Sequence, residues 1–222
     1  MSPLPDSSAR AYQVLLGLCG ILIYTPPDAA ALEVLRDQRG LFLEQPFSTV
    51  APDAAKTLSD LLDGDVDDLR MKIANEHTFI FKMVAQSHAS PYESVYRTCD
   101  STLFGPTTLE VREAYRAHGQ QFPRMAAEPD DHIGLELQFA STLLDKIASD
   151  SDEADAKTAE VAQRALRGFL AEHLLVFAPS CLGRVAEASS FGFYRAVAGI
   201  ALAALTDLAD ALEVEATTSP LR

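Results

Sequence analysis

A chain of 222 residues, 48% of them hydrophobic, is long enough to bury one large core. With 8% aromatics, no Trp and only 11 Gly, it is neither β-rich nor disordered in composition, and its Ala, Leu, Glu, Asp and Arg favour helix. A net charge of −14, with 18 Lys and Arg scattered along the chain, excludes the clustered basic surface that nucleic acid requires and suits solubility or a basic ligand instead.

In chain order, residues 1–7 form a polar tail, and Ser8 caps a helix running to Tyr24. That helix is apolar nearly all round (Val14, Leu15, Leu16, Leu18, Cys19, Ile21, Leu22, Ile23), as expected at the centre of a bundle. The run from Val14 to Tyr24 is too short to span a bilayer and has no small-x-small cleavage site before Pro26-Pro27. The expectation is a cytoplasmic protein without membrane insertion. Pro26-Pro27-Asp28 stops the first helix and starts a second, to Asp37. Gly40 to Val50 reads as a loop, and Pro52-Asp53 opens a short helix ending at Gly64.

Asp65 caps the next helix, where Val66, Leu69, Ile73, His77, Ile80 and Val84 share one face. Ser87 to Tyr92, with Pro91, is a break. Thr107 or Thr108 begins another helix, with Gly119 as its C-terminal cap. In Glu128-Pro129-Asp130-Asp131-His132-Ile133-Gly134, Asp130 is the expected N-cap, His132 lies in the first turn and Glu136 shares its face. Ile133, Leu137, Ala140, Leu144 and Ile147 then keep helical spacing. Ser149 to Asp155 is acidic and polar and reads as a hinge. Val161, Ala165, Phe169, His173 and Phe177 align on one face of a helix that Pro179 ends. The last helix, Ser190 to Val214, buries Phe191, Tyr194, Ala198, Ala201, Leu205, Leu208 and Leu212. No segment alternates with period two and no long repeat is visible, so the class is all-α: one bundle of roughly eight to ten helices over residues 1–222, with a hinge at 149–155.

Cys19, Cys99 and Cys181 are far apart, form no CxxC, and read as free thiols in a reducing compartment. Glu128, Asp131, His132 and Glu136, with or without His173, could hold a metal in an α-helical metal-dependent enzyme, although the paired Glu-x-x-His repeats of di-iron bundles are absent. The same residues also fit a helix cap with a hydrogen-bonded histidine. Tyr92 and Tyr96, four apart after Ser90-Pro91, make either an aromatic surface that grips a peptide or a pair of core plugs. His173, among apolar neighbours, fits a hydrogen-bonded core residue. Phe104-Gly105-Pro106 forms a turn. No phosphate loop, nucleophile elbow or Cys/His pairing is present, and nothing in the sequence demands catalysis.

In order, Ser90-Pro91-Tyr92-Glu93-Ser94-Val95-Tyr96, Leu103-Phe104-Gly105, Glu128-Pro129-Asp130-Asp131-His132-Ile133-Gly134, Glu172-His173-Leu174 and Phe193-Tyr194 resemble the motif islands of the TorD/DmsD/NarJ family, from about residue 76 to 195. The resemblance implies an all-helical cytoplasmic chaperone, not an enzyme and without a cofactor of its own. Such a chaperone binds the twin-arginine signal peptide, or a nearby segment, of a molybdoenzyme catalytic subunit until the molybdopterin cofactor is inserted. It further implies a monomer or a domain-swapped dimer, and peptide binding through Asp131, His132, Gly105 and the apolar Ile80 and Phe81. Beside these, Glu128 and Glu136 would offer carboxylates to guanidinium groups, and Tyr92 and Tyr96 an aromatic wall. The family often carries Trp at the positions of Tyr92 and Tyr96 and near Phe177. Here Tyr and Phe keep the surface aromatic.

Overall fold

The computed structural model describes residues 3–82, 88–97, 105–121, 129–148 and 153–217. Within them the chain forms α1 (Asp6–Tyr24), α2 (Ala29–Asp37), a 3-10 turn (Arg39–Leu43), α3 (Phe47–Val50), α4 (Pro52–Leu61) and α5 (Val66–His77), which continues as a π-helical turn (Thr78–Lys82). After it come α6 (Glu93–Arg97), α7 (Pro106–Ala117), α8 (Ile133–Ile147), α9 (Glu153–Phe169), a second π-helical turn (Leu170–Leu174), α10 (Leu175–Ala188) and α11 (Phe193–Ala211). Among the described residues the one β-type pairing is an isolated antiparallel bridge between Tyr92 and His132. The all-α expectation holds.

The centre is the trio α1, α8 and α11. Helix α1 runs along α8, α11 packs on α1, α4 and α10, and α9 flanks α8. The α11 register follows the sequence pattern: Tyr194, Ala198, Ala201, Leu205, Leu208 and Leu212 are all buried. Phe191 precedes the helix and is only half-buried. A buried carboxylate from α5 prepares the start of α11. Glu76 accepts hydrogen bonds from the Ser189 hydroxyl (2.8 Å) and from the backbone N–H groups of Phe191 (2.7 Å), Gly192 (3.3 Å) and Tyr194 (3.3 Å). These are donors that a helix N-terminus otherwise leaves orphaned.

Several expectations are corrected. Helix α1 is not enclosed on all sides: Val14 and Ile21 stay exposed, because α8 and α11 cover only part of its circumference. Gly40 to Val50 is not a plain loop but the 3-10 turn followed by α3, which seat Phe42 and Phe47 edge-on in the core with ring centroids 5.0 Å apart. Pro179 does not end its helix. It sits inside α10 on the exposed side, where the carbonyl that loses its partner can meet water. Val161 points to solvent, and the buried face of α9 is Ala162, Leu166 and Phe169. Helix is continuous from Ala156 to Ala188 and contains an 18-residue window apolar enough to cross a membrane, yet 56% of that window is buried inside the protein. Val84 and Cys99 lie outside the described residues, as does most of the 149–155 stretch, where α9 begins at Glu153.

Helices α1 and α8 approach backbone to backbone at Gly20 and Gly134. A Cβ on Gly134 would lie 2.8 Å from the Gly20 carbonyl oxygen and 2.9 Å from the Tyr24 nitrogen; one on Gly20 would lie 2.7 Å from the Gly134 carbonyl oxygen. No side chain can move aside, because the obstacle is main chain. Gly134→Ala is therefore expected to lower stability by about 1–3 kcal/mol, with a thermal midpoint by circular dichroism lower by roughly 3–10 °C. Gly168, in α9, has nothing within 4 Å of its virtual Cβ, so Gly168→Ala should raise stability by about 0.5–1 kcal/mol.

Candidate functional site

Three of the motif stretches, Ser90–Tyr96, Pro129–Gly134 and Glu172–Leu174, meet at one buried junction. The extended segment before α6 runs antiparallel to the segment before α8. Ile133 N–H donates to the Pro91 carbonyl (2.7 Å), and Glu93 N–H to the Asp131 carbonyl (2.9 Å), with the Tyr92–His132 bridge between them. The Asp131 side chain then holds two more elements. One oxygen accepts from the Ser94 backbone N–H at the start of α6 (2.8 Å), the other from the Thr108 hydroxyl in the first turn of α7 (2.7 Å).

Asp130 is not the cap of α8. Its carboxylate pairs with Arg112 of α7 at 2.6 Å, and its carbonyl accepts from the Tyr115 hydroxyl. The N-cap is His132, whose Nδ1 accepts from the Gly134 N–H at 3.0 Å. The His132 ring sits edge-on between Tyr24 (5.1 Å) and Tyr92 (5.4 Å). Burial, with the positive charges of His77 and Lys82 nearby, pushes its pKa down to about 3. The imidazole is therefore neutral at pH 7, with its proton on Nε2, the nitrogen that is not the acceptor.

A second layer joins α6 to the π-helical turn before α10. Fully buried Glu93 pairs with Arg97 (2.6 Å) through one oxygen and meets His173 Nδ1 (3.0 Å) with the other. Arg97 also donates to the Glu172 carbonyl, and the His173 ring lies over Phe169 at 5.0 Å. Tyr96 is half-buried: its hydroxyl donates to the Ser90 carbonyl (2.9 Å), its ring packs on Phe177, and the Arg184 guanidinium sits over its outer face at 5.5 Å. The Cys181 thiol donates to the same Ser90 carbonyl, and burial pushes that thiol up to about 12, which keeps it protonated and inert.

Of the residues expected to bind peptide, Tyr92, Tyr96, Asp131 and His132 come together here, and Gly105 caps α7 one turn before Thr108. Ile80 and Phe81 are buried, Phe81 against His77 and Tyr194, while neighbouring Phe79 is the exposed aromatic of that turn. Glu128 lies outside the described residues. Two of the carboxylates expected to meet guanidinium groups are sealed in: Asp131 and Glu136 are both fully buried. The cause is that Asp131 is saturated by α6 and α7, so those helices close over it.

Glu136 has no hydrogen-bond partner for either oxygen among the described residues. Burial, then the nearby Glu93 and Asp131 carboxylates, raise its pKa well above the ordinary 4.5, with Arg97 opposing. Its surroundings favour the neutral acid. Sequence reasoning missed Glu93, Arg97, Thr108, Arg112 and Glu76. The i,i+4 spacing of Glu93 and Arg97 was the one available signal. Among the described residues no group of three or more His, Cys, Asp or Glu side chains is placed to hold a metal ion. Asp131 and His132 have already given their acceptors to Ser94, Thr108 and Gly134, so the metal-enzyme alternative finds no ligand set here.

Residues 44–182 match the model of the nitrate reductase delta subunit family. The chain is similar to chaperone protein TorD of Vibrio cholerae serotype O1, 31% identical over 164 residues that cover 74% of this chain and 72% of that one. It is also similar to the probable Tat proofreading chaperone DmsD of Haemophilus influenzae, 26% identical over 193 residues covering 84% and 83% of the two chains. A third relative is the Tat proofreading chaperone DmsD of Salmonella typhi, 29% identical over 131 residues covering 59% and 57%.

Removing the Asp131 carboxylate strips donors at two helix starts at once. Asp131→Ala should cost about 3–5 kcal/mol in urea unfolding, and Thr108→Val should add little on top of it, a coupling of about 1–3 kcal/mol. Glu136→Gln tests the buried acid. A carboxyl whose folded pKa is raised favours the fold below its unfolded pKa and weakens it as pH rises above that value. The variant should therefore gain stability over the parent as pH climbs from 4.5 towards 8, the gap closing below 4.5, in thermal melts across that range.

Proposed function

This chain belongs to the nitrate reductase delta subunit family, and from that premise we propose that it is a chaperone of molybdoenzyme maturation, working by binding and not by turnover. Its client is the catalytic subunit of an exported molybdoenzyme. The segment it takes is the client's N-terminal twin-arginine signal peptide, held back from export in the cytoplasm until the cofactor is in place. The observation that carries this reading is that the family match, residues 44–182, contains every residue of the junction from Pro91 to His173. The residues that resemble the family's motifs between Pro91 and His173 are among those that hold this fold's central joint.

In this reading Tyr92 and Tyr96, with Gly105, present the outer edge of the junction to the apolar part of the leader. Asp131 and His132 serve binding by fixing that edge from behind: Asp131 through Ser94 and Thr108, His132 through its wedge between Tyr24 and Tyr92. Ile80 and Phe81 form the floor beneath. The net charge of −14 favours a cationic leader at long range.

Isothermal calorimetry with a molybdoenzyme leader peptide and its twin-lysine version tests the reading. The expected result is a saturable heat for the first and an affinity about tenfold or more weaker for the second. Tyr92→Ala should weaken binding by a similar factor with helical circular dichroism unchanged. A chain indifferent to both peptides would overturn the proposal.

A further inference from the structure

Outside the sealed junction lies an open cavity of about 440 Å³, lined by Arg97, Glu110, Glu113, Glu172, His173 and Thr217. Its floor is the junction's own second layer. Arg97 is already neutralised by Glu93 and bound to the Glu172 carbonyl, so it contributes no free positive charge. Glu110 and Glu113, on the outward face of α7, and Glu172 are exposed, and no ion pair engages them among the described residues. Thr217 closes one side, where the C-terminal segment is tied down by its N–H (2.8 Å) and hydroxyl (2.9 Å) on the Ala171 carbonyl.

Carboxylates alone on a surface are usually only solvated. His173 sets this place apart: it is 7% exposed, lies on the cavity wall, and spends only one of its two ring nitrogens inside the protein. With Glu93 accepting from Nδ1–H, the free Nε2 is left as an acceptor. The cavity therefore combines three uncompensated carboxylates with a histidine ring held on its wall by Glu93, and Arg97 adds no unpaired positive charge. A planar guanidinium, with five N–H groups, matches several acceptors at once, which a point-charge ammonium does less well.

We infer that this cavity is the seat of an arginine side chain of the client leader, held by Glu110, Glu113, Glu172 and His173 Nε2. The inference deepens the chaperone reading and rests on it for the source of the arginine. It also places charge recognition one layer outside Asp131. His173 and Glu93 connect the two, so an arginine seated here would lie against the joint that holds Tyr92 and Tyr96.

The test uses the full chain and a triple variant, Glu110→Gln with Glu113→Gln and Glu172→Gln, all exposed positions whose change leaves the fold intact. Two probes are titrated: a twin-arginine leader peptide by calorimetry, and N-acetyl-arginine amide followed on the His173 ring resonances, assigned with His173→Gln. The expected outcome is leader affinity weakened about tenfold or more in the triple variant, and a saturable His173 shift with arginine amide that the variant loses. Equal leader affinity in both proteins, or a His173 ring that arginine amide leaves unmoved in the parent, overturns the cavity assignment. A leader that fails to bind the parent while arginine amide still saturates His173 overturns the chaperone reading and leaves the cavity standing.

Discussion

Everything in the middle of this molecule depends on one carboxylate being out of water and fully used. Asp131 joins α6, α7 and the start of α8 through a backbone carbonyl and two side-chain oxygens, each with a donor within 2.9 Å. Helices α6 and α7 are thereby fixed to α8, which is pressed on α1 at Gly20 and Gly134. A charge removed from water is costly unless satisfied. The same cost makes the arrangement specific, since displacing α6 or α7 leaves that charge unmet.

The sequence reveals the helices well and the junction poorly, for a physical reason. Spacing of three and four reports which face of a helix is apolar, and α5, α8 and α11 fall where Leu69, Leu137 and Leu205 place them. Asp65 and Gly119 are also legible: Asp65 accepts from the Asp68 N–H, and Gly119 has the positive φ of 74° that a helix end requires. Caps that depend on distant partners are not legible. Asp130 looks like the cap of α8 until Arg112 claims it, and His132 takes the role instead. Pro179 looks like a stop because its missing donor is local information, whereas the solvent on that side of α10 is not. Gly134 carries no visible reason in the sequence, since its need comes from a helix more than a hundred residues away.

Motif residues can thus belong to recognition without touching a ligand. The aromatic pair Tyr92 and Tyr96 is held by main-chain contacts to Ile133 and Ser90, and by the edge-on histidine. A surface so braced loses little side-chain freedom when something binds it, which lowers the entropic cost of binding. The neutral His132 contributes stiffness and not charge. Burial and the neighbouring Glu93 and Asp131 carboxylates favour the protonated form of Glu136, and the ionised carboxylates of the junction already have partners.

Energetics decides where a cationic partner can be met. Turning Asp131 outward to a guanidinium would forfeit two charged hydrogen bonds, worth about 1.5–3 kcal/mol each, and would gain one contact of the same class at a wetter site. It would also release the starts of α6 and α7 and the aromatic pair they carry. Glu110, Glu113 and Glu172 pay no such penalty, being solvated and unpaired beforehand, and His173 is already oriented by Glu93. Opposite charge is best met by groups with nothing to lose. The buried aspartate secures the scaffold, and the exposed glutamates beside it are the ones free to engage.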